Sequence, residues 1–127
     1  MKIKLVLTLL VTVISLFLMV GCSNDSLVGG TWVSTEPFLQ DIGYGYHPYY
    51  YHYQFFDNGT GVVTLVWATD QSWRLPLEFR WSSSGGNLTI DITADGVATQ
   101  RTVSSYSISR NSLTTNTYGI EMNFRRR

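Results

Sequence analysis

The sequence predicts an all-β domain, an antiparallel meander of about eight strands that curls into a small barrel. Three observations carry that expectation. Past residue 30 no stretch repeats its apolar residues at helical spacing, whereas period-two alternation recurs along the chain. Turn signals separate the alternating runs: Asp57-Asn58-Gly59, Ser84-Gly85-Gly86, Ala94-Asp95-Gly96, Arg110-Asn111 and Asn116-Thr117. The links they form are short, so neighbours in sequence become antiparallel neighbours in space, and a meander that meets itself leaves no open edge. A small two-sheet sandwich is the alternative.

The first residues stand apart from this pattern. Lys2 and Lys4 precede an apolar run from Leu5 to Val20, and Gly21 leads into Cys22, the sole cysteine. A basic start, an apolar middle and a small residue at the end make an export signal. The run is short for a membrane-spanning helix, which takes about 20 apolar residues, and no basic cluster follows it. Residues 1–21 are therefore expected to be a signal peptide, and small, polar residues 22–30 a tether. Residues 31–127 are the predicted barrel domain.

The strands follow in order near 31–35, 49–57, 60–68, 73–82, 87–93, 97–109, 112–116 and 118–125. Tyr49, Tyr51, Tyr53 and Phe55 share one face of the second, and Val63, Leu65 and Trp67 one face of the third. Leu75, Leu77, Phe79 and Trp81 alternate with Pro76, Glu78 and Arg80. Leu88, Ile90 and Ile92 alternate with Thr89 and Asp91, and Tyr118, Ile120, Met122 and Phe124 form the last inward set. Along 97–109 the phase changes, since Val97 and Val103 are odd but Tyr106 and Ile108 are even; a bulge near Ser104-Ser105 is expected.

Two resemblances add to this reading. Leu18-Met19-Val20-Gly21-Cys22 resembles the lipobox of bacterial lipoproteins, with Met19 where Leu is commoner. That resemblance implies cleavage before Cys22 and lipid on its sulfur, which would also explain a lone cysteine in an exported chain. Gly30-Thr31-Trp32 looks like the opening of lipocalin-like domains. Tyr53-Gln54-Phe55-Phe56-Asp57-Asn58-Gly59-Thr60-Gly61 is similar to a hairpin of small lipocalin-like lipoproteins from Gram-negative bacteria, and Phe79-Arg80-Trp81 through Phe124-Arg125 continues the likeness. It implies an envelope protein of a Gram-negative bacterium, held by lipid at the outer membrane on an unspecified face. The longer motifs and the disulfide of vertebrate-type lipocalins are absent, so no retinol-like ligand is implied.

Composition narrows the chemistry. Apart from Lys2 and Lys4, seven arginines face nine carboxylates, a balance unsuited to nucleic acid. No G-x-S-x-G elbow, phosphate-binding glycine loop or paired catalytic carboxylates can be read in the chain, so no enzymatic activity and no cofactor are expected. His47 and His52 alone fall short of the three or four ligands a zinc site takes, so no metal is expected either.

What remains is binding. Residues 43–61 hold six of the eight tyrosines and both histidines. Gly43 to Pro48 reads as a loop near the barrel mouth. Tyr44, Tyr46, His47, Tyr49 and Tyr50 become the candidate surface for a ligand or partner, because tyrosine joins a large stacking area to a polar tip. Bulky Trp32, Trp67, Leu77, Phe79 and Trp81 predict a mostly filled interior with a shallow mouth. The expected function is binding of a small hydrophobic or glycan ligand. The alternative is a non-catalytic accessory or inhibitor subunit that meets another envelope protein through Tyr-rich residues 44–53.

Overall fold

The computed structural model describes residues 26–94 and 96–127. The signal peptide, the lipidation at Cys22 and Asp95 of one turn lie outside the described residues. Nine strands follow one another: β1 (Trp32–Ser34), β2 (Phe38–Asp41), β3 (Tyr46–Phe55), β4 (Thr60–Trp67), β5 (Arg74–Ser84), β6 (Asn87–Ala94), β7 (Val97–Ser109), β8 (Ser112–Thr117) and β9 (Ile120–Arg126). No helix occurs among the described residues. The strands pair antiparallel in the order β1-β9-β8-β7-β6-β5-β4-β3-β2, and β1 also pairs with β3. Eight strands thus close a barrel, and β2 is an extra strand on its wall.

Closure depends on a very short strand. Trp32, Val33 and Ser34 pair with Arg126, Arg125 and Phe124 on one side, while Trp32 and Val33 pair with Tyr53 and His52 on the other. Thr31 and Arg127 exchange backbone hydrogen bonds of 3.2 and 2.8 Å, and Thr35 N–H reaches the Asn123 carbonyl at 2.9 Å. Then the chain leaves the seam. Pro37 has no N–H to extend the ladder, and Ser34 Oγ accepts the Tyr51 N–H at 2.9 Å where a strand carbonyl would have stood. Further up, Phe38 to Asp41 take up the free edge of β3 opposite Tyr49 to Tyr46. Among the described residues β2 pairs with β3 alone, and β9 from Ile120 to Met122 pairs with β8 alone. The wall is therefore unstitched between β2 and β9 above Asn123.

The two ends differ. At one, Trp32 (0 % exposed), Leu27, Phe55, Phe79, Leu88, Leu113 and Phe124 pack into the main core. The Trp32 indole N–H donates to the Leu27 carbonyl at 2.9 Å, and the Arg126 guanidinium lies 4.2 Å above its ring. Leu27, in the segment expected to be tether, is thus part of this plug, and Val28 forms an isolated bridge with Phe55. The β3–β4 hairpin at this end is held by Asn58 Oδ1, which accepts the Thr60 N–H at 3.1 Å and its hydroxyl at 2.6 Å. The opposite end carries the connections 42–45, 68–73 and 118–119, with Gly96 ahead of β7, and stays open.

Four expectations need correction. Residues 38–41 form a strand that the sequence pattern does not predict, and β3 begins at Tyr46, inside the expected loop. The register shift of the β6–β7 pair lies between Ile92 and Thr93, not near Ser104-Ser105. From Gln100 onward β7 keeps a single phase, with Ser104 paired to Leu88 and Tyr106 to Thr115, so Val103 points out; Val97, before the shift, pairs with Ala94 in phase with Ile92 and lies exposed at the end of the strand. Tyr118 leaves the inward set of the last strand, because it sits in the β8–β9 turn at φ 52° and is 91 % exposed.

Candidate ligand-binding cavity

The interior is not filled. A cavity of about 390 Å³ lies above the plug and opens at the unstitched end. The tryptophans explain the departure from the sequence expectation. None of the four lines this space. Trp32 belongs to the plug, and the Trp81 indole N–H turns to the Phe56 and Thr60 carbonyls at 3.0 and 2.9 Å. Trp67 and Trp73 meet edge to face at 6.3 Å beside Tyr49, which packs on Trp73 at 5.7 Å. Two of the indoles donate to carbonyls and the other two meet as a ring pair, so the middle of the barrel is left to other side chains.

Two unlike walls enclose the space. On β3 the rings of Tyr51, Tyr53 and Phe55 stack along the strand at 6.3 and 5.7 Å, and Val63, Leu65 and Leu77 continue this apolar side across β4 and β5. Alternation places these residues on one face, as predicted. Facing them, β7 contributes Gln100, Thr102 and Ser104, and β8 contributes Thr115 and Thr117. Ser104 and Thr115 are each 8 % exposed, and the Ser104 and Thr117 hydroxyls are hydrogen-bonded at 2.5 Å. Leu88, Leu113 and Phe124 form the floor. At the mouth Leu39 stands on one lip and Tyr118 with Ile120 on the other, 70, 91 and 59 % exposed.

The lining carries no charge. Among its residues there is no Asp, Glu, Lys, Arg or His. Burial, with the neighbouring Tyr49 phenol second, pushes the Tyr51 phenol up to about 12. Burial likewise raises Tyr53, with Tyr51 adding to the effect. Both phenols stay neutral at any physiological pH. The Tyr51 hydroxyl donates to Gln40 Oε1, which ties β2 to the wall it lies on.

The five residues expected to form a binding surface run from the β2–β3 hairpin into β3 and differ in exposure. Tyr44 and Tyr46 are 74 and 72 % exposed at the β2–β3 hairpin. That turn is set by Asp41 Oδ1, which accepts the Gly43 and Gly45 N–H groups at 2.8 and 3.1 Å. His47 Nε2–H donates to the Tyr44 carbonyl at 2.9 Å, and its ring packs 4.8 Å from Trp67. Tyr49 is 2 % exposed and belongs to a second core cluster with Val63 and Leu65. Tyr50, half-buried, stands one residue out of phase with Tyr49 and Tyr51 and pairs with Val66. None of the five lines the cavity. Among the described residues no three of His, Cys, Asp and Glu come together.

No family model, curated protein or solved structure matches this chain. The cavity must therefore be judged on its own chemistry. Gln100, Thr102, Ser104, Thr115 and Thr117 are site residues that the sequence expectation does not include. A signal for them exists: stepping back by twos from Ile108 and Tyr106 puts Ser104, Thr102 and Gln100 inside. Polar residues on the inner face of a closed barrel mark a space that is not packed solid.

Proposed function

We propose that this chain is a non-catalytic, lipocalin-like binding domain that holds a small, mainly apolar ligand within its barrel. The observation that carries the reading is the cavity itself. Its volume of about 390 Å³ falls within the roughly 300–1,000 Å³ of small-molecule pockets, and its concave, mostly apolar lining with a few convergent polar groups is what such pockets share. The plugged end gives the rings a fixed floor, and the exposed apolar lips offer an approach from water. Lipid on Cys22, at the outer membrane of a Gram-negative envelope, completes the proposal and rests on the Leu18–Cys22 pattern. Residues 26–30 join the barrel at its plugged end, so a tether there leaves the mouth directed away from the attachment point.

Titration with N-phenyl-1-naphthylamine, an uncharged fluorescent probe, tests the binding reading. Saturable one-to-one enhancement is expected, and Thr115→Leu, which intrudes on the cavity, should weaken it at least tenfold. Absence of saturable binding, or equal binding by a folded Thr115→Leu variant, refutes the reading. Mass spectrometry of protein expressed with its leader should find acylated Cys22, and a bare thiol at that position refutes the anchor.

A second reading has one observation in its favour. Among the described residues, six of the eight exposed large apolar side chains (Leu39, Tyr44, Tyr46, Val97, Tyr118 and Ile120) lie at the open end. Solvent-exposed rings concentrated in this way suit contact with an envelope protein. Tyr44→Ser with Tyr46→Ser should leave probe binding intact and abolish such a contact.

A further inference from the structure

We propose that the cavity selects an uncharged amphiphile, with its apolar body against Tyr51, Tyr53 and Leu65 and a hydroxyl, ether or carbonyl group turned to Ser104, Thr115 and Thr117. This rests on the cavity being the binding site and says what that site takes. Charge is the first argument. A carboxylate, phosphate or ammonium group drawn inside would lose its water and meet no opposite charge in the lining. An anionic amphiphile must therefore leave its head in the mouth, where the lips are Leu39, Tyr118 and Ile120, again without a cation.

The second argument is the asymmetry of the walls. Hydroxyls both donate and accept, and they stand on β7 and β8 while β3, β4 and β5 present rings and aliphatic groups. Ser104 and Thr117 satisfy one another in part, each keeping capacity for a further bond. Thr115 Oγ1, on a residue 8 % exposed, makes no hydrogen bond among the described residues. A wholly apolar occupant would strand that hydroxyl, at a cost an oxygen-bearing ligand avoids. The space limits size as well: at about 30 Å³ for each water-sized group, it takes on the order of a dozen. Medium-chain neutral amphiphiles meet all three conditions.

The experiment is displacement of N-phenyl-1-naphthylamine by a chain-matched pair, 1-decanol and decanoate, at pH 8, in the natural chain and in Thr115→Val. Valine keeps the volume and removes the hydroxyl. In the natural chain decanol should bind at least tenfold more tightly than decanoate. In Thr115→Val that preference should shrink about fivefold, each displacement being referred to the probe affinity measured in the same protein, with circular dichroism and thermal melting confirming the fold. Equal or tighter binding of decanoate overturns the proposal. So does an unchanged preference in Thr115→Val, because greater partitioning of the alcohol into any oily space would survive that substitution. Displacement by neither compound, with the probe still bound, overturns the ligand class and spares the cavity reading. Failure of the probe itself removes both.

Discussion

Gly61 shows how tightly single positions are fixed near the plug. It pairs with Phe79 across β4 and β5, and the Phe79 ring covers the place where a side chain would stand. A Cβ at Gly61 would press into that ring and lie 2.5 Å from the Gln54 carbonyl oxygen. Phe79 is 1 % exposed and packs on Phe55 at 5.3 Å, so the ring has no free volume to yield into. Gly61→Ala is expected to destabilise the fold by about 1–3 kcal/mol, the usual cost of overpacking; urea unfolding followed by tryptophan fluorescence measures it. Trp32 is constrained by shape and by its N–H together. Trp32→Phe should cost about 1–3 kcal/mol, since the buried Leu27 carbonyl loses its donor, and the same urea experiment reads the loss.

At the scale of the strand, the sequence was legible wherever one face met oil and the other met water. Leu75 to Trp81 and Asn87 to Thr93 alternate plainly because their partners across the core are apolar. On β7 the same logic misled. Val103 is apolar and so reads as an inward residue, yet the inner face there borders a void, and its residues are Gln100, Thr102 and Ser104. Phase carried over from Tyr106 and Ile108 was the better guide than polarity. β2 escaped notice for another reason. Phe38-Leu39-Gln40-Asp41 is too short to show a period, and its register depends on β3, which no local pattern reveals. A strand paired on one side only is weakly held. Tyr51→Phe, which removes the bond to Gln40, should speed amide hydrogen exchange in residues 38–41 and leave the urea midpoint almost unmoved. Equal protection of those amides in both proteins would show that the Tyr51–Gln40 bond does not hold the strand down.

For the molecule as a whole, everything depends on where the barrel shuts. A three-residue strand joins first to last, and His52 stands in that joint, paired with Val33. Burial comes first, then the Arg74 and Arg127 charges, in holding the His52 imidazole below its ordinary value. The folded state consequently binds fewer protons than the unfolded chain between the lowered value and about 6.5, the ordinary histidine pKa. Stability must rise with pH across that window. It is complete above about pH 6.5 and declines as pH falls toward the folded value, because protonation sets a third positive charge beside two arginines at the seam. This window lies above that of Asp91, whose carboxyl is held low by its hydrogen bonds to Arg101 and loses its contribution only as pH drops below the usual carboxylate range. Urea midpoints from pH 8 to 5 should therefore fall in the natural chain and change much less in His52→Gln. A slope that persists unchanged in His52→Gln would place the sensitivity elsewhere. A slope that vanishes would make the seam the part of the wall that acid loosens first.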